Sequence, residues 1–236
     1  KYHHVIQAIF KYLKFPQHST NYSLKYLQLF ATYQSFTPFT PYSDTQFLVQ
    51  IAKLFKLDRD PIIFHKSSDM ALIQFNRLLW WHIVYLDLRA AIFWNKLPMI
   101  ELDKSDTSLP TEIGLHKNVL VRMVFCNSRF RYAILMNEIL KSSTQGGNLN
   151  IVKDKVLELE VRCNGSIMSL NSYLSKSKKN NSQTSAHSRI YQDQQKEIEL
   201  LIEEIKCLPD MALLLAYKRL QSPSQYLYKV SFPKYS

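Results

Sequence analysis

The chain has 236 residues, a net charge of +11 and only four glycines, with 46% hydrophobic and 21% charged residues. This is an ordinary globular composition, and a chain of this length buries enough surface to fold without a disulfide framework or a structural metal. The scarcity of glycine argues against nucleotide-binding α/β folds and β-rich folds, because both use glycine in tight turns and phosphate loops.

The first quarter of the chain predicts three helices, from apolar residues that recur three or four positions apart. The first two cover residues 5–13 and 22–36. Residues 37–44 form a loop, since two prolines in four residues do not fit inside a helix. We expect Asp44 to be the N-cap of the third helix, which runs through Phe55 and ends near Pro61.

The longest and most apolar helix is predicted over about residues 70–94, after a cap at Ser67, Ser68 or Asp69. Two apolar stripes follow different faces of this helix, one from Leu72 to Phe93 and one from Trp80 to Trp94. A helix that is apolar on two faces is enclosed on most sides. We therefore place it at the centre of the core.

The second half predicts further helices over residues 119–141, 149–174, 190–208 and 211–220, with Pro209 ending the third of these. Residues 96–110 are irregular, 142–147 form a turn, and 226–232 are the only candidate strand. The polar, basic segment at about 175–188 is expected to be flexible. The fold class is thus all-α, with residues 1–236 as one helical domain around the helix at about 70–94.

Several classes of segment and site are not expected. The chain begins at Lys1 and not at a methionine, so we interpret it as a fragment of a longer protein or a processed product. No signal peptide is predicted, because Gln7 interrupts the apolar residues 5–10 and Lys11 follows them. The most apolar stretch, residues 72–94, predicts no membrane span, because it carries Arg77, His82, Asp87 and Arg89. Cys126, Cys163 and Cys207 are widely spaced, which favours small buried thiols over a disulfide or a zinc site.

No catalytic pattern is present. Phosphate loops, dinucleotide fingerprints, nucleophile elbows and zinc-protease motifs are all missing, and no cofactor or metal site is predicted. Asp58 and Asp60 flank Arg59 and are interpreted as a solvated helix end. His82 lies in an apolar helix and is interpreted as a hydrogen-bonded core residue. The sequence therefore predicts that this chain is not an enzyme.

One ordered series of short motifs is more specific. It consists of residues 51–61, 77–87, 95–100 and 106–110, with Ala90 and Ala91 between the second and third. The series resembles the middle homology region of fungal zinc-cluster transcription factors, the fungal-specific transcription factor domain. In that region a first helix ends in leucine-histidine-arginine-aspartate. The segment that follows starts with an arginine-rich sequence and contains a tryptophan pair and an aspartate. A glycine-x-proline turn and a closing leucine-proline come after it. The resemblance covers about residues 26–110, and residues 197–209 are similar to a later helix of the family.

The resemblance assigns a structural motif to Arg77, Trp80, Trp81, Asp87, Pro98 and Pro110. Lys56, Asp58 and Asn95 stand where the family usually has glycine, histidine and glycine. Trp80 and Trp81 point about 100° apart on a helix, so we expect them to pack against different neighbouring helices. Asp87 shares the Trp80 stripe, and we expect it to be buried and to accept hydrogen bonds from an arginine or from a helix N-terminus.

In that family a cysteine-rich zinc cluster binds DNA, and the middle domain tunes activation of transcription by RNA polymerase II. The resemblance implies a nuclear protein in which zinc and DNA contact belong to a module outside this chain. We leave open whether the chain binds a small apolar ligand or a coregulator protein, and whether it forms a homodimer through residues 190–208. No association with a membrane is expected. The alternative is a dimerisation and docking subunit of a DNA-bound assembly, such as a kinetochore or a chromatin remodeller. The basic surface suits both, since it favours acidic partners or nucleic acid.

Overall fold

The computed structural model describes Val5, Ala8 and residues 24–37, 41–112, 115–143, 149–180 and 188–221. These residues form seven α-helices and one short 3₁₀ helix, without a strand, so the predicted all-α class is confirmed. The chain divides into two compact units, residues 1–109 and 110–236. Val5 and Ala8 are helical, but the rest of the helix predicted over residues 5–13 and the strand predicted over 226–232 lie outside the described residues.

From residue 24 onward, the described part of the first unit forms four α-helices, α1 to α4, and the 3₁₀ helix. They are α1 (Leu24–Phe36), α2 (Tyr42–Leu54), α3 (Pro61–Phe64), α4 (Met70–Phe93) and the 3₁₀ helix Leu102–Lys104. Helices α1, α2 and α3 all pack against α4, and α1 also packs against α2. The long helix α4 is therefore the element that holds this unit together.

Helix α2 begins three residues earlier than the sequence predicts. Pro41 is its N-cap, so Asp44 lies inside the first turn and does not cap the helix. The proline has no N–H to satisfy, and its extended backbone leads directly into the helix. A carboxylate in the first turn still favours the helix, because it faces the positive end of the helix dipole.

Helix α4 is buried on most of its circumference, which confirms that it is enclosed by other elements, and the helices that pack against it all belong to the first unit. Asp69 is the N-cap, and its carboxylate accepts hydrogen bonds from the backbone N–H of Ala71 at 2.9 Å and of Leu72 at 3.3 Å. The predicted stripes are exposed at their ends: Leu72 and Trp94 are each 43% exposed and Phe93 is 51% exposed. The periodicity of a helix identifies its core face but not how far along the helix the neighbouring elements reach.

The second unit is built from three longer helices that all pack against one another. They are α5 (Lys117–Ser143), α6 (Leu149–Asn180) and α7 (Ser188–Gln221). Two predictions are corrected here. Helix α6 continues six residues past Leu174 into the segment predicted to be flexible, because lysine and serine prolong a helix at little cost once it has formed.

The second correction concerns Pro209, which lies inside α7 and does not end it. The two helices predicted over residues 190–208 and 211–220 are therefore one. Leu208, Pro209 and Ala212 are all buried, so packing on both sides of the proline compensates for the backbone hydrogen bond that it cannot make.

The cysteines are not linked in disulfides. Cys163 is buried, as predicted, and burial raises the pKa of its thiol to about 11. Burial also raises the pKa of Cys126, whereas Cys207 is exposed and corrects the prediction of a buried thiol at that position. Within the described ranges, none of the helices is both long and apolar enough to span a bilayer.

Candidate functional site: a buried polar network of motif residues

Asp60 is the centre of a polar network in the first unit. Its side chain is 2% exposed, and it accepts hydrogen bonds at 3.0 Å from both Nε and Nη2 of Arg77. As the N-cap of α3, it also accepts from the backbone N–H of Ile62 at 3.1 Å, and the N–H of Ser108 donates to it at 3.0 Å. Asp60 was predicted to be solvated, and the structure shows that this prediction is wrong.

The electrostatics of Asp60 follow from these partners. Burial alone raises the pKa of a carboxyl group, but the hydrogen bonds from Arg77, Ser108 and Ile62 and the charge of Arg77 outweigh it and hold the pKa of Asp60 below its ordinary value. Asp60 is therefore a charged, fully partnered carboxylate at neutral pH.

A second carboxylate, Asp106, joins two loops of the network. Its Oδ1 accepts from the backbone N–H of Asp60 at 2.7 Å, and its Oδ2 accepts from Nε of Arg59 at 2.8 Å. The N–H of Asp106 in turn donates to the carbonyl of Asp58 at 3.1 Å. The hydroxyl of Thr107 donates to the carbonyl of Leu57 at 2.7 Å. Residues 57–60 and 105–108, separated by more than forty positions, are thus joined by side chains and backbone together.

The two tryptophans of the motif have different environments. The indole N–H of Trp81 donates to the carbonyl of Ser108 at 3.0 Å, which attaches α4 to the same loop. Trp80 is fully buried, and its indole nitrogen has no hydrogen-bond partner. Trp80 therefore contributes apolar packing, while Trp81 belongs to the polar network.

Lys56 occupies a left-handed turn at the end of α2, with φ of 56°. Its N–H donates to the carbonyl of Lys53 at 3.0 Å, and the N–H of Leu57 donates to that of Ala52 at 3.1 Å. This pair of bonds is a Schellman motif, in which the left-handed residue is most often glycine.

Asn95 repeats this geometry at the end of α4, with φ of 54°. Its N–H donates to the carbonyl of Ile92 at 3.3 Å, and the N–H of Lys96 donates to that of Ala91 at 2.8 Å. Lysine and asparagine thus occupy left-handed positions at the two places where the resemblance predicts glycine.

Asp87 lies on α4 outside this network and is 1% exposed, so its predicted burial is confirmed. Its Oδ2 accepts from the backbone N–H of Ile100 at 2.8 Å, with a further hydrogen bond from the backbone of Met99. The donors are therefore amides of the loop that follows Pro98, and not an arginine or a helix N-terminus as predicted. Arg77, the arginine of the motif, is bound to Asp60.

Burial raises the pKa of Asp87 to about 6, although the hydrogen bonds from Ile100 and Met99 and the charge of Lys53 oppose the rise. Burial, and then the negative charge of Asp87, also raise the pKa of Tyr42. Asp60 and Asp87 are both buried, yet their pKa values move in opposite directions, because only Asp60 has an arginine as its partner.

The remaining motif and core residues lie apart from the network. Pro98 is half-buried in the loop that binds Asp87. Pro110 is buried in the second unit, where its carbonyl accepts from Nδ2 of Asn127 at 3.0 Å. His82 is half-buried, and its Nε2 lies 2.8 Å from Oγ of Ser35, which agrees with its interpretation as a hydrogen-bonded residue.

Asp60, Asp106 and Ser108 are central to the network, but the sequence predicted them only as members of the resembling series and assigned none of them to the structural motif. A signal for Asp60 was available, since an aspartate directly before a proline is typical of an N-cap followed by the first helical residue. No comparable local signal marks Asp106 or Ser108, because their partners are more than forty positions away.

The network can hold two loops and a helix in fixed positions, but its charges are already paired with one another. Within the ranges that the structure describes, no group of three or more histidine, cysteine, aspartate or glutamate side chains could hold a metal ion. No family model matches the chain, and no curated protein or solved structure is significantly similar to it.

Proposed function

We propose that this chain is the regulatory middle domain of a fungal zinc-cluster transcription factor. The observation that carries the proposal is the hydrogen-bonded network of Asp60, Arg77, Trp81, Asp106 and Ser108. These residues come from three separate motifs of the resembling series. An ordered series of motifs that converges on one structural unit supports common descent better than motifs scattered over the surface.

The two left-handed turns support the same proposal independently. The family usually has glycine at the positions of Lys56 and Asn95, and glycine is favoured where φ is positive. The departures from the family's pattern are therefore changes of side chain on a retained backbone conformation. The positive φ at both positions therefore supports the resemblance although the glycines themselves are missing.

In this proposal the chain acts through folding and docking. DNA contact and zinc belong to a module outside these residues, and the folded domain restrains activation until a partner or a ligand changes its state. The net charge of +11 suits a protein that works near nucleic acid or acidic activation segments.

Two experiments test the proposal. The transcript upstream of Lys1 is sequenced and searched for two copies of a C-x2-C-x6-C pattern, which the proposal requires. Residues 1–236 are also inserted between a heterologous DNA-binding domain and an acidic activation segment, and reporter transcription is measured. We expect the insert to lower transcription and Arg77→Met to restore it, with Arg59→Met as the matched control that leaves the repression in place.

Absence of the six cysteines, together with a reporter that the insert does not affect, would refute the regulatory proposal. The docking-subunit alternative then takes its place. It predicts that the chain purifies from cells in fixed stoichiometry with a DNA-bound complex.

A further inference from the structure

Helix α7 has a buried face and an exposed face. Ile198, Ile202 and Ile205 lie on the face that packs inside the second unit, and they are at most 5% exposed. With about 100° of rotation per residue, a set of exposed positions falls on the opposite side of the helix and alternates four and three residues apart, as in a heptad repeat. This set, the outer stripe, consists of Leu200, Glu204, Cys207, Met211, Leu214 and Lys218.

The apolar members of the outer stripe are open to solvent. Leu200 is 67%, Met211 45% and Leu214 71% exposed, and Cys207 is also exposed. Single exposed apolar side chains are ordinary on a protein surface, whereas several at heptad spacing on one helix face are typical of a contact with another helix. The inner apolar side of residues 190–208 already packs against α5 and α6, so a homodimer of α7 has to use the outer stripe.

The charges of the outer stripe are arranged symmetrically about its apolar centre. Glu204 and Lys218 lie seven positions before and seven positions after Met211. They are about 21 Å apart along the helix, so they cannot pair with each other within one chain. The stripe therefore carries an acidic end and a basic end, with an apolar centre between them.

This arrangement is complementary to a second copy of itself in one direction only. When two α7 helices pack antiparallel about a two-fold axis at Met211, Glu204 of each copy lies level with Lys218 of the other. Parallel packing instead places glutamate against glutamate and lysine against lysine, which is unfavourable. A two-fold interface uses the same surface on both copies, as a self-complementary stripe requires.

We propose that a second copy of this chain docks on the outer stripe and forms an antiparallel homodimer of α7 helices. The two Met211 side chains meet at the axis, Cys207 of each copy packs near Leu214 of the other, and two Glu204–Lys218 pairs close the ends. A contact about 21 Å long is at the lower end for specific interfaces, so we expect a reversible dimer with a micromolar dissociation constant. The proposal is independent of the regulatory function, since self-association is a property of the chain alone.

Sedimentation equilibrium of the 236-residue chain under reducing conditions tests the dimer. The apparent mass should rise from the monomer value of 27.8 kDa towards twice that value between low micromolar and submillimolar concentrations. Leu214→Glu places a charge in the apolar centre and should weaken the dimer at least about tenfold. Leu157→Glu is the matched control, because it changes a leucine of α6 that is 59% exposed and lies outside the stripe. Both positions are exposed, so both variants should melt close to the wild-type temperature.

Charge reversal tests the direction of the helices. Glu204→Lys places lysine against Lys218 of the other copy and should weaken an antiparallel dimer, while the combination with Lys218→Glu should restore it. In a parallel dimer, Glu204→Lys only exchanges one like-charged pair for another and should have little effect.

Disulfide trapping tests the position of the axis, in chains that also carry Cys207→Ser. Met211→Cys should form a cross-linked dimer on mild oxidation. Leu200→Cys should not, because its two copies lie about 33 Å apart along the helices. A chain that stays monomeric, a dimer that Leu157→Glu weakens as much as Leu214→Glu does, a dimer that Glu204→Lys leaves unchanged, or a Met211→Cys variant that does not cross-link would each overturn the proposal.

Discussion

Arg77 and Asp60 lie seventeen positions apart, and the guanidinium group of Arg77 reaches both carboxylate oxygens of Asp60 at 3.0 Å. The side chains are 11% and 2% exposed, so this ion pair is shielded from water. In the neighbouring pair, Nε and Nη2 of Arg59 both lie 2.8 Å from Oδ2 of Asp106, and the side chains are 46% and 36% exposed. The first unit thus contains two arginine–aspartate pairs, of which only the Arg77–Asp60 pair is buried and uses both carboxylate oxygens.

Arg77→Met should destabilise the first unit by about 3–5 kcal/mol, because it leaves the buried Asp60 carboxylate without its cation. Arg59→Met, the matched control, should cost less than about 1 kcal/mol, since its pair is exposed. All three tryptophans lie in the first unit. Urea unfolding followed by tryptophan fluorescence therefore measures this unit. Equal effects of the two substitutions would contradict the central role of the Arg77–Asp60 pair.

The sequence was sufficient for the elements of this fold and insufficient for the contacts between them. Helix α4 and its burial follow from its apolar periodicity, and the burial of Asp87 follows from its place on the Trp80 stripe. The backbone partners of Asp60 and Asp87 could not be predicted. The donors are backbone N–H groups of loops, such as those of Ser108 and Ile100, and the identity of a residue does not show which carboxylate its backbone N–H will bind.

Packing also overrides local signals in the second unit. Pro209 has the local signature of a helix end, yet buried neighbours on both sides keep α7 continuous through it. Gln34 shows the same limit in the first unit. An isolated glutamine in a helix is usually solvated, and its buried amide emerges only once α1, α2 and α4 are assembled.

Lys56→Gly should stabilise the first unit by about 1 kcal/mol, because glycine adopts positive φ without the strain that a side chain introduces. Asn95→Gly should gain less, since asparagine tolerates this conformation better than lysine does. Gln50→Gly is the control: it places glycine at an exposed position inside α2 and should destabilise by about 1 kcal/mol. Urea midpoints measured by tryptophan fluorescence distinguish the three. A loss of stability in Lys56→Gly would mean that the turn is not left-handed.

Asp87 should give the first unit a stability that decreases as the pH rises. The pKa of Asp87 is raised from 3.8 to about 6 in the folded chain. Between these values the folded state holds a proton that the unfolded state has released. The stabilisation is thus complete below pH 3.8 and is lost as the pH rises through about 6. The difference in pKa corresponds to about 3 kcal/mol.

The measurement compares wild type with Asp87→Asn by urea unfolding at several pH values from 4 to 7. The asparagine can accept the hydrogen bond from Ile100 but does not titrate, so the stability difference between the two proteins should change by about 3 kcal/mol over this range. Asp103→Asn, which removes an exposed carboxylate of the same unit, is the control. Asp60 does not obscure the effect, because its lowered pKa acts only at more acidic pH. Parallel pH profiles for wild type and Asp87→Asn would contradict the prediction.

Pro209→Ala should stabilise the second unit. A proline inside a helix costs about 3 kcal/mol relative to alanine, and replacing it loses the burial of two methylene groups at about 0.8 kcal/mol each. The expected net gain is about 1 kcal/mol, and the restored N–H can donate to the carbonyl of Ile205. Hydrogen exchange over residues 205–213 should slow in the variant, while Asp210→Ala, an exposed neighbouring change, should affect it less. If Pro209→Ala instead speeds exchange, the prediction is wrong, and the buried proline ring stabilises α7 through packing by more than its missing N–H costs.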